Sequence, residues 1–168
     1  MCKPVFIIGF MGAGKTTIGM SLSTRLSWDF IDLDKRIEEE SGMEIPLIFQ
    51  TQGEKGFREI EKRAFFNCAD KKRTVISCGG GVVLDEDILQ FLKNSENVIL
   101  LTADTDTISE RLDGDLSRPL LDKREKRQKI SEMLEIRDPI YRSATNMIID
   151  TSGMTQEDIV EKILSIME

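Results

Sequence analysis

The side chains best placed for chemistry in this 168-residue chain are a lysine and a threonine behind a run of glycines. The stretch Gly9-Phe-Met-Gly-Ala-Gly-Lys15-Thr16-Thr17 meets every fixed position of the pattern G-x-x-x-x-G-K-[ST]. Glycines at 9, 12 and 14 allow backbone conformations closed to other residues. The N–H groups of Gly12, Ala13, Gly14, Lys15, Thr16 and Thr17 can therefore converge on phosphate oxygens at the start of a helix. Lys15 then reaches the β- and γ-phosphates of a nucleotide, and Thr16 offers a hydroxyl to Mg²⁺. A glycine turn with no ligand would not need the complete pattern.

Two carboxylates follow in Phe30-Ile-Asp-Leu-Asp34. Read as a strand, this segment puts Asp32 and Asp34 on one face, roughly 7 Å apart, at the sheet end where ligands bind. One could serve a magnesium-bound water and the other a substrate hydroxyl. The competing reading makes Asp34 the N-cap of a helix from Lys35 to Ser41, closed by Gly42, and leaves Asp32 in solvent. Cys78 precedes Gly79, Gly80 and Gly81, a triplet suited to backbone that must pass close to a ligand; the alternative is a flexible hairpin. Arg58 could face that ligand or simply pair with Glu54 or Glu61 at the surface. Arg137 ends an apolar stripe of Ile130, Met133 and Leu134, so its fork of donors suits a carboxylate or phosphate, or else snorkels toward water.

These residues need a parallel α/β scaffold. Val5 to Ile8, Arg73 to Ser77, Asn97 to Leu101 and Met147 to Ile149 read as buried strands beside the one over 30–34. Helices are expected from the glycine loop to Ser27, over Met43–Thr51, and from beyond the break at Gly53 to Asp70, with Phe57, Ile60, Ala64 and Phe65 inward. Further helices should cover Asp85–Lys93, Asp104–Leu112, residues 127–137 and Thr155–Ile166, with Thr155 as the last N-cap. Pro139 disfavours helix at Asp138, which puts Arg137 near a terminus. The charged stretch from Asp113 to Arg127 reads as an irregular excursion, either a mobile loop or a lid that carries Arg118 over a nucleotide.

Composition narrows the function. With 40% hydrophobic and 32% charged residues the chain suits one globular domain, residues 1–168. No histidine is present, so Ser-His and Cys-His catalysis are excluded and a general base must be a carboxylate, lysine or tyrosine. Three cysteines without C-x-x-C spacing argue against both a disulfide framework and a zinc site. A net charge of −7 argues against a nucleic-acid partner. The four residues before the first strand leave no room for a leader, and no apolar run approaches membrane-spanning length, so a cytoplasmic chain is expected, with a monomer as the default.

Six motifs in order carry a family resemblance: G-F-M-G-A-G-K-T-T-I-G (9–19), F-I-D-L-D (30–34), G-E-x-G-F-R (53–58), C-G-G-G-V-V (78–83), S-R-P-L-L (117–121) and R-x-P-x-Y (137–141). Together they span almost the whole chain, which resembles shikimate kinase. The resemblance implies a P-loop fold like that of nucleoside-monophosphate kinases: a five-stranded parallel sheet ordered 2-3-1-4-5, flanking helices, a substrate-binding region over about 33–61 and a lid over about 113–127. It implies ATP and Mg²⁺ as cofactors and phosphorylation of the 3-hydroxyl of shikimate. Residue by residue, it gives Lys15 to the transferring phosphates, Thr16 to Mg²⁺, Asp32 to a magnesium-bound water and Asp34 to substrate hydroxyls. Arg58 and Arg137 would clamp the shikimate carboxylate, Gly79 to Gly81 would lend backbone contacts, Arg118 would arrive with the lid, and Arg111 would lie at the adenine side. Cys78 stands where the family often has threonine, and Ser143 where an acidic residue commonly follows, which could remove a support for Arg137. A gluconate-type kinase shares the first motif but has no use for paired arginines and the glycine triplet. A nucleotide-binding regulator that has lost its chemistry would not need Lys15, Asp34, Arg58, Arg118 and Arg137 together.

Overall fold

In a computed structural model, residues 3–113, 123–145 and 147–167 are described. Four short apolar runs and one mixed one form the strands β1 (Val5–Ile8), β2 (Asp29–Asp32), β3 (Thr74–Ser77), β4 (Val98–Thr102) and β5 (Met147–Asp150). They pair in parallel in the order β2-β3-β1-β4-β5, as the resemblance implies. Alternation along each strand feeds two cores. Val5, Ile7, Val75, Ile99, Leu101 and Ile149 turn to one face, against helices α1 (Lys15–Leu26) and α7 (Gln156–Met167). Phe6, Ile8, Ile76, Val98 and Leu100 turn to the other, covered by α2 (Leu33–Ser41), α3 (Ile45–Cys68), α4 (Glu86–Lys93) and α6 (Lys123–Ser143). Helix α5 (Thr105–Asp113) packs against α6. With both faces covered, the sheet leaves only its strand ends for a ligand, and the carboxyl ends of β1 and β3 carry the glycine loop and the glycine triplet.

Three boundaries differ from expectation. Strand β2 stops at Asp32, whose carboxylate accepts from the N–H groups of Asp34 at 3.1 Å and Lys35 at 3.3 Å and so caps α2. Asp34 therefore sits in the first helical turn rather than beside Asp32 on a strand face, and Gly42 closes the helix as expected, at φ 67. Helix α6 begins at Lys123, four residues before the expected start at 127; residues 114–122, with Arg118 among them, lie outside the described residues. Helix α6 also continues through Pro139 to Ser143 instead of ending near Arg137. Its last turns are held from outside: Tyr141 and Ala144 are buried, and that packing outweighs the local cost of proline.

Gly53 does break α3, at φ 69 and ψ −177, into an arm over residues 45–52 and a longer helix. Phe57, Ile60, Ala64 and Phe65 form its inward stripe as the spacing predicts. Phe49 from the short arm stacks on Phe57 with ring centroids 4.5 Å apart. No helix among the described residues is long and apolar enough to cross a membrane.

Candidate active site

The phosphate loop takes its shape from its glycines. Gly12 and Gly14 adopt φ 79 and 95, which side chains resist, and Gly14 is the residue from which α1 starts, its carbonyl accepting the Ile18 N–H at 2.9 Å. The Lys15 ammonium is half-buried at the mouth of the loop and donates to the Phe10 carbonyl at 2.9 Å. Burial lowers its pKa below the ordinary lysine value, with the charge of Asp34 opposing. The Thr16 hydroxyl donates to Asp32 at 2.6 Å and lies 3.5 Å from the Ser77 hydroxyl at the end of β3. This is an all-oxygen group of the kind a hard cation prefers. Among the described residues no three His, Cys, Asp or Glu gather into a chelating cluster, so a magnesium ion here would depend on the Thr16 hydroxyl, water and phosphate oxygens.

Arg111 approaches the loop from α5. Its guanidinium donates to the Gly12 carbonyl and to the Thr151 hydroxyl, each at 3.1 Å, and to the Thr151 carbonyl at 3.4 Å. Thr151 is buried and bonded to the Thr102 carbonyl, so the brace runs from the loop to the ends of β4 and β5.

The glycine triplet forms the floor of the neighbouring cleft. A methyl group at Gly79 would meet Asp34 Oδ1 at 2.8 Å and Glu61 Oε1 at 3.0 Å, and one at Gly81 would collide with the Arg58 guanidinium. The space that side chains would fill is occupied by the protein's own polar groups. Glu61 is 1% exposed and accepts from Arg58 Nη1 at 2.6 Å, while Glu54 adds a longer contact to Arg58 at 3.6 Å. Arg58 also lies over the Phe57 ring, 5.2 Å from its centroid. Across the floor, half-buried Arg137 lies over the Phe10 ring at 5.9 Å. The Tyr141 hydroxyl donates to the Gly80 carbonyl.

Burial raises the Asp34 carboxyl above the usual aspartate range, helped by the charge of Asp32 and opposed by Lys15 and Arg58. Its carboxylate opens to the cleft, yet the protein packed around it strips much of its hydration. Burial raises Glu61 as well, against the pull of Arg58. Cys78 is 1% exposed and its thiol is pushed well upward by burial, which fits a small packed residue rather than a nucleophile.

Asp34 thus feels the charges of both Lys15 and Arg58, while Arg137 and Arg58 pull the Tyr141 phenol downward against burial and Glu61. The residues that sequence reasoning underrated are Glu61, taken for a surface partner, and Ser77, Thr151 and Tyr141. For Tyr141 the only local signal was its place in R-x-P-x-Y.

Comparison with known proteins agrees with this geometry. A family model described as "Shikimate kinase" matches residues 11–168. The shikimate kinase of Thermodesulfovibrio yellowstonii is 42% identical over 162 residues, covering 96% of this chain and 93% of that protein. That of Methylococcus capsulatus is 38% identical over 166 residues, covering 99% and 93%. Among solved structures, shikimate kinase from Acinetobacter baumannii in complex with shikimate superposes with a TM-score of 0.91 at 35% identity, covering 99% of this chain and 93% of that one. On a match that begins inside the phosphate loop and runs through the last helix, the chain belongs to the shikimate kinase family.

Proposed function

We propose that this chain transfers the γ-phosphoryl group of ATP to the 3-hydroxyl of shikimate. The observation that carries the reading is a phosphate loop and two ring-supported arginines beside a glycine floor, with Asp34 against Gly79 within reach of the charges of Lys15 and Arg58. In this reading the amides of Gly12, Ala13, Gly14, Lys15, Thr16 and Thr17 hold the phosphates, and Arg111 supports the adenine side. Lys15 exchanges its bond to the Phe10 carbonyl for oxygens of the transferring phosphate.

Asp34 receives the hydroxyl, accepts its hydrogen bond and takes its proton as the new O–P bond forms and the bond to the leaving diphosphate oxygen breaks. A loose transition state asks for alignment of that hydroxyl more than for strong proton abstraction. Arg58 and Arg137 hold the carboxylate of the substrate, and Gly79, Gly80 and Gly81 let the ring approach the backbone. Arg118, from the segment outside the described residues, is assigned to the charge that develops on the phosphoryl group. The Thr16 hydroxyl and, through water, Asp32 fit Mg²⁺, which when bound neutralises phosphate charge. The whole of residues 1–168 acts as one kinase domain, a cytoplasmic monomer with no nucleic-acid partner.

A coupled assay for ADP release tests the reading. ADP should appear on addition of shikimate and not of gluconate, and no shikimate-dependent turnover would overturn it. Arg58→Ala and Arg137→Ala should raise KM for shikimate, whereas Lys15→Ala should abolish turnover.

A further inference from the structure

Tyr141 has no role in the phosphoryl-transfer reading, yet it is where α6 meets the glycine floor. Its side chain is 1% exposed and among the largest fully buried ones, and its hydroxyl donates to the Gly80 carbonyl, 61 positions away in sequence. Burial raises the phenol to about 12, with Arg137 opposing, so it remains a proton donor throughout the working pH range. Arg137 precedes it by one helical turn on the same side of α6. Pro139 lies between the two and supplies no N–H, so the helix by itself holds this stretch less firmly.

The receiving end is equally specific. Gly80 sits between Gly79, against which Asp34 and Glu61 rest, and Gly81, against which Arg58 rests. One hydrogen bond therefore joins the helix that carries one arginine to the turn that seats the other.

We propose that Tyr141 is a positioning residue for substrate: by tying α6 to the Gly80 carbonyl it sets the separation of Arg137 from Arg58, and hence the fit of a carboxylate held by both. The inference rests on the assignment of these arginines as the carboxylate clamp. A tyrosine that merely filled the core would affect stability and both substrates alike. One that spaces the clamp affects the acid substrate alone.

The test is Tyr141→Phe in the full chain, which keeps the ring and removes the donor. KM for shikimate should rise about fivefold, as for loss of one hydrogen bond, while KM for ATP and kcat stay within about twofold. In an Arg137→Ala background the same substitution should add no further increase, since the two act through one contact. An analogue of shikimate with a carboxamide in place of the carboxylate should show no difference between Tyr141 and Phe. The proposal is overturned by an unchanged shikimate KM, by an equal rise for ATP, by full additivity with Arg137→Ala, or by loss of the fold in circular dichroism. The clamp itself is judged separately: if neither Arg58→Ala nor Arg137→Ala alters shikimate KM, that assignment falls, whereas an intact clamp with a silent Tyr141→Phe rejects this inference alone.

Discussion

Arg58 donates to Glu61 across 2.6 Å from one turn earlier on α3, and the carboxylate that receives it is almost wholly enclosed. A single-turn pair at the surface contributes little, but here the partner is buried against Gly79, on the glycine floor. Glu61 therefore fixes where the Arg58 guanidinium points. Glu61→Gln retains the shape and weakens the charge-assisted bond, so KM for shikimate should rise about tenfold, a loss of about 1.4 kcal/mol, with kcat nearly unchanged. Steady-state kinetics at saturating ATP would decide it, and an unaltered KM would mean that Phe57 and Glu54 hold Arg58 without Glu61.

Gly81 yields a second prediction about the same guanidinium. A methyl group there meets the end of a long, flexible side chain, so the fold can accommodate it by moving Arg58. Gly81→Ala should keep its melting temperature within a few degrees and raise KM for shikimate about tenfold, through loss of one charged contact. Thermal melting and kinetics on one preparation separate the two effects. A large drop in melting temperature with a normal KM would show that the turn itself, and not Arg58, had yielded.

If Asp34 and Lys15 act as proposed, their opposed shifts should set the pH range of activity. In the proposed mechanism Asp34 is ionised to accept the hydroxyl proton; its pKa is raised, so the acid limb of kcat/KM should lie above the ordinary aspartate value of 3.8. Lys15 must be charged to meet phosphate, and its pKa is lowered, so the basic limb should lie below 10.5. The same sign governs stability. A raised carboxyl binds its proton more tightly in the folded state, so its contribution favours folding at low pH and is lost as pH rises through the raised value. Asp34→Asn should therefore abolish turnover and melt higher than the parent at neutral pH, the gap closing below pH 3.8. Melts across the pH range check this, and an equal or lower neutral melting temperature would contradict the burial argument.

Arg111 should matter to the nucleotide and not to the acid. Its bonds to the Gly12 carbonyl and to Thr151 brace the loop from outside. Arg111→Ala should raise KM for ATP about fivefold, in line with loss of one or two hydrogen bonds, and leave KM for shikimate unchanged. Equal effects on both substrates would point to a general loosening of the fold.

The glycine loop, the strands and the break at Gly53 were legible in the sequence because each is enforced locally, by φ angles open to glycine or by runs of branched apolar residues. The end of β2 was not. Asp32 can lie on a strand or cap a helix, and only the backbone N–H groups of Asp34 and Lys35 decide between them. Glu61 resembled any solvated helix carboxylate until α3 packed it against a turn 18 positions onward at Gly79. Proline at 139 suggested a helix end because its cost is local, whereas the packing of Tyr141 that overrides it comes from across the fold. The candidate residues were thus readable by type, and the contacts that support them were not, since those contacts are long-range.

Pro139 also divides its helix into two mechanical parts. It cannot return a hydrogen bond to the Glu135 carbonyl, so the rod is softest between Arg137, just before it, and the anchored turn of Tyr141 just after. The half leading in from Lys123 is mostly exposed until Ile130, Met133 and Leu134 rest on the core. Deuterium uptake should accordingly be faster over 123–135 than over 140–144, with Arg137 on the boundary between the exposed entry and the anchored turn.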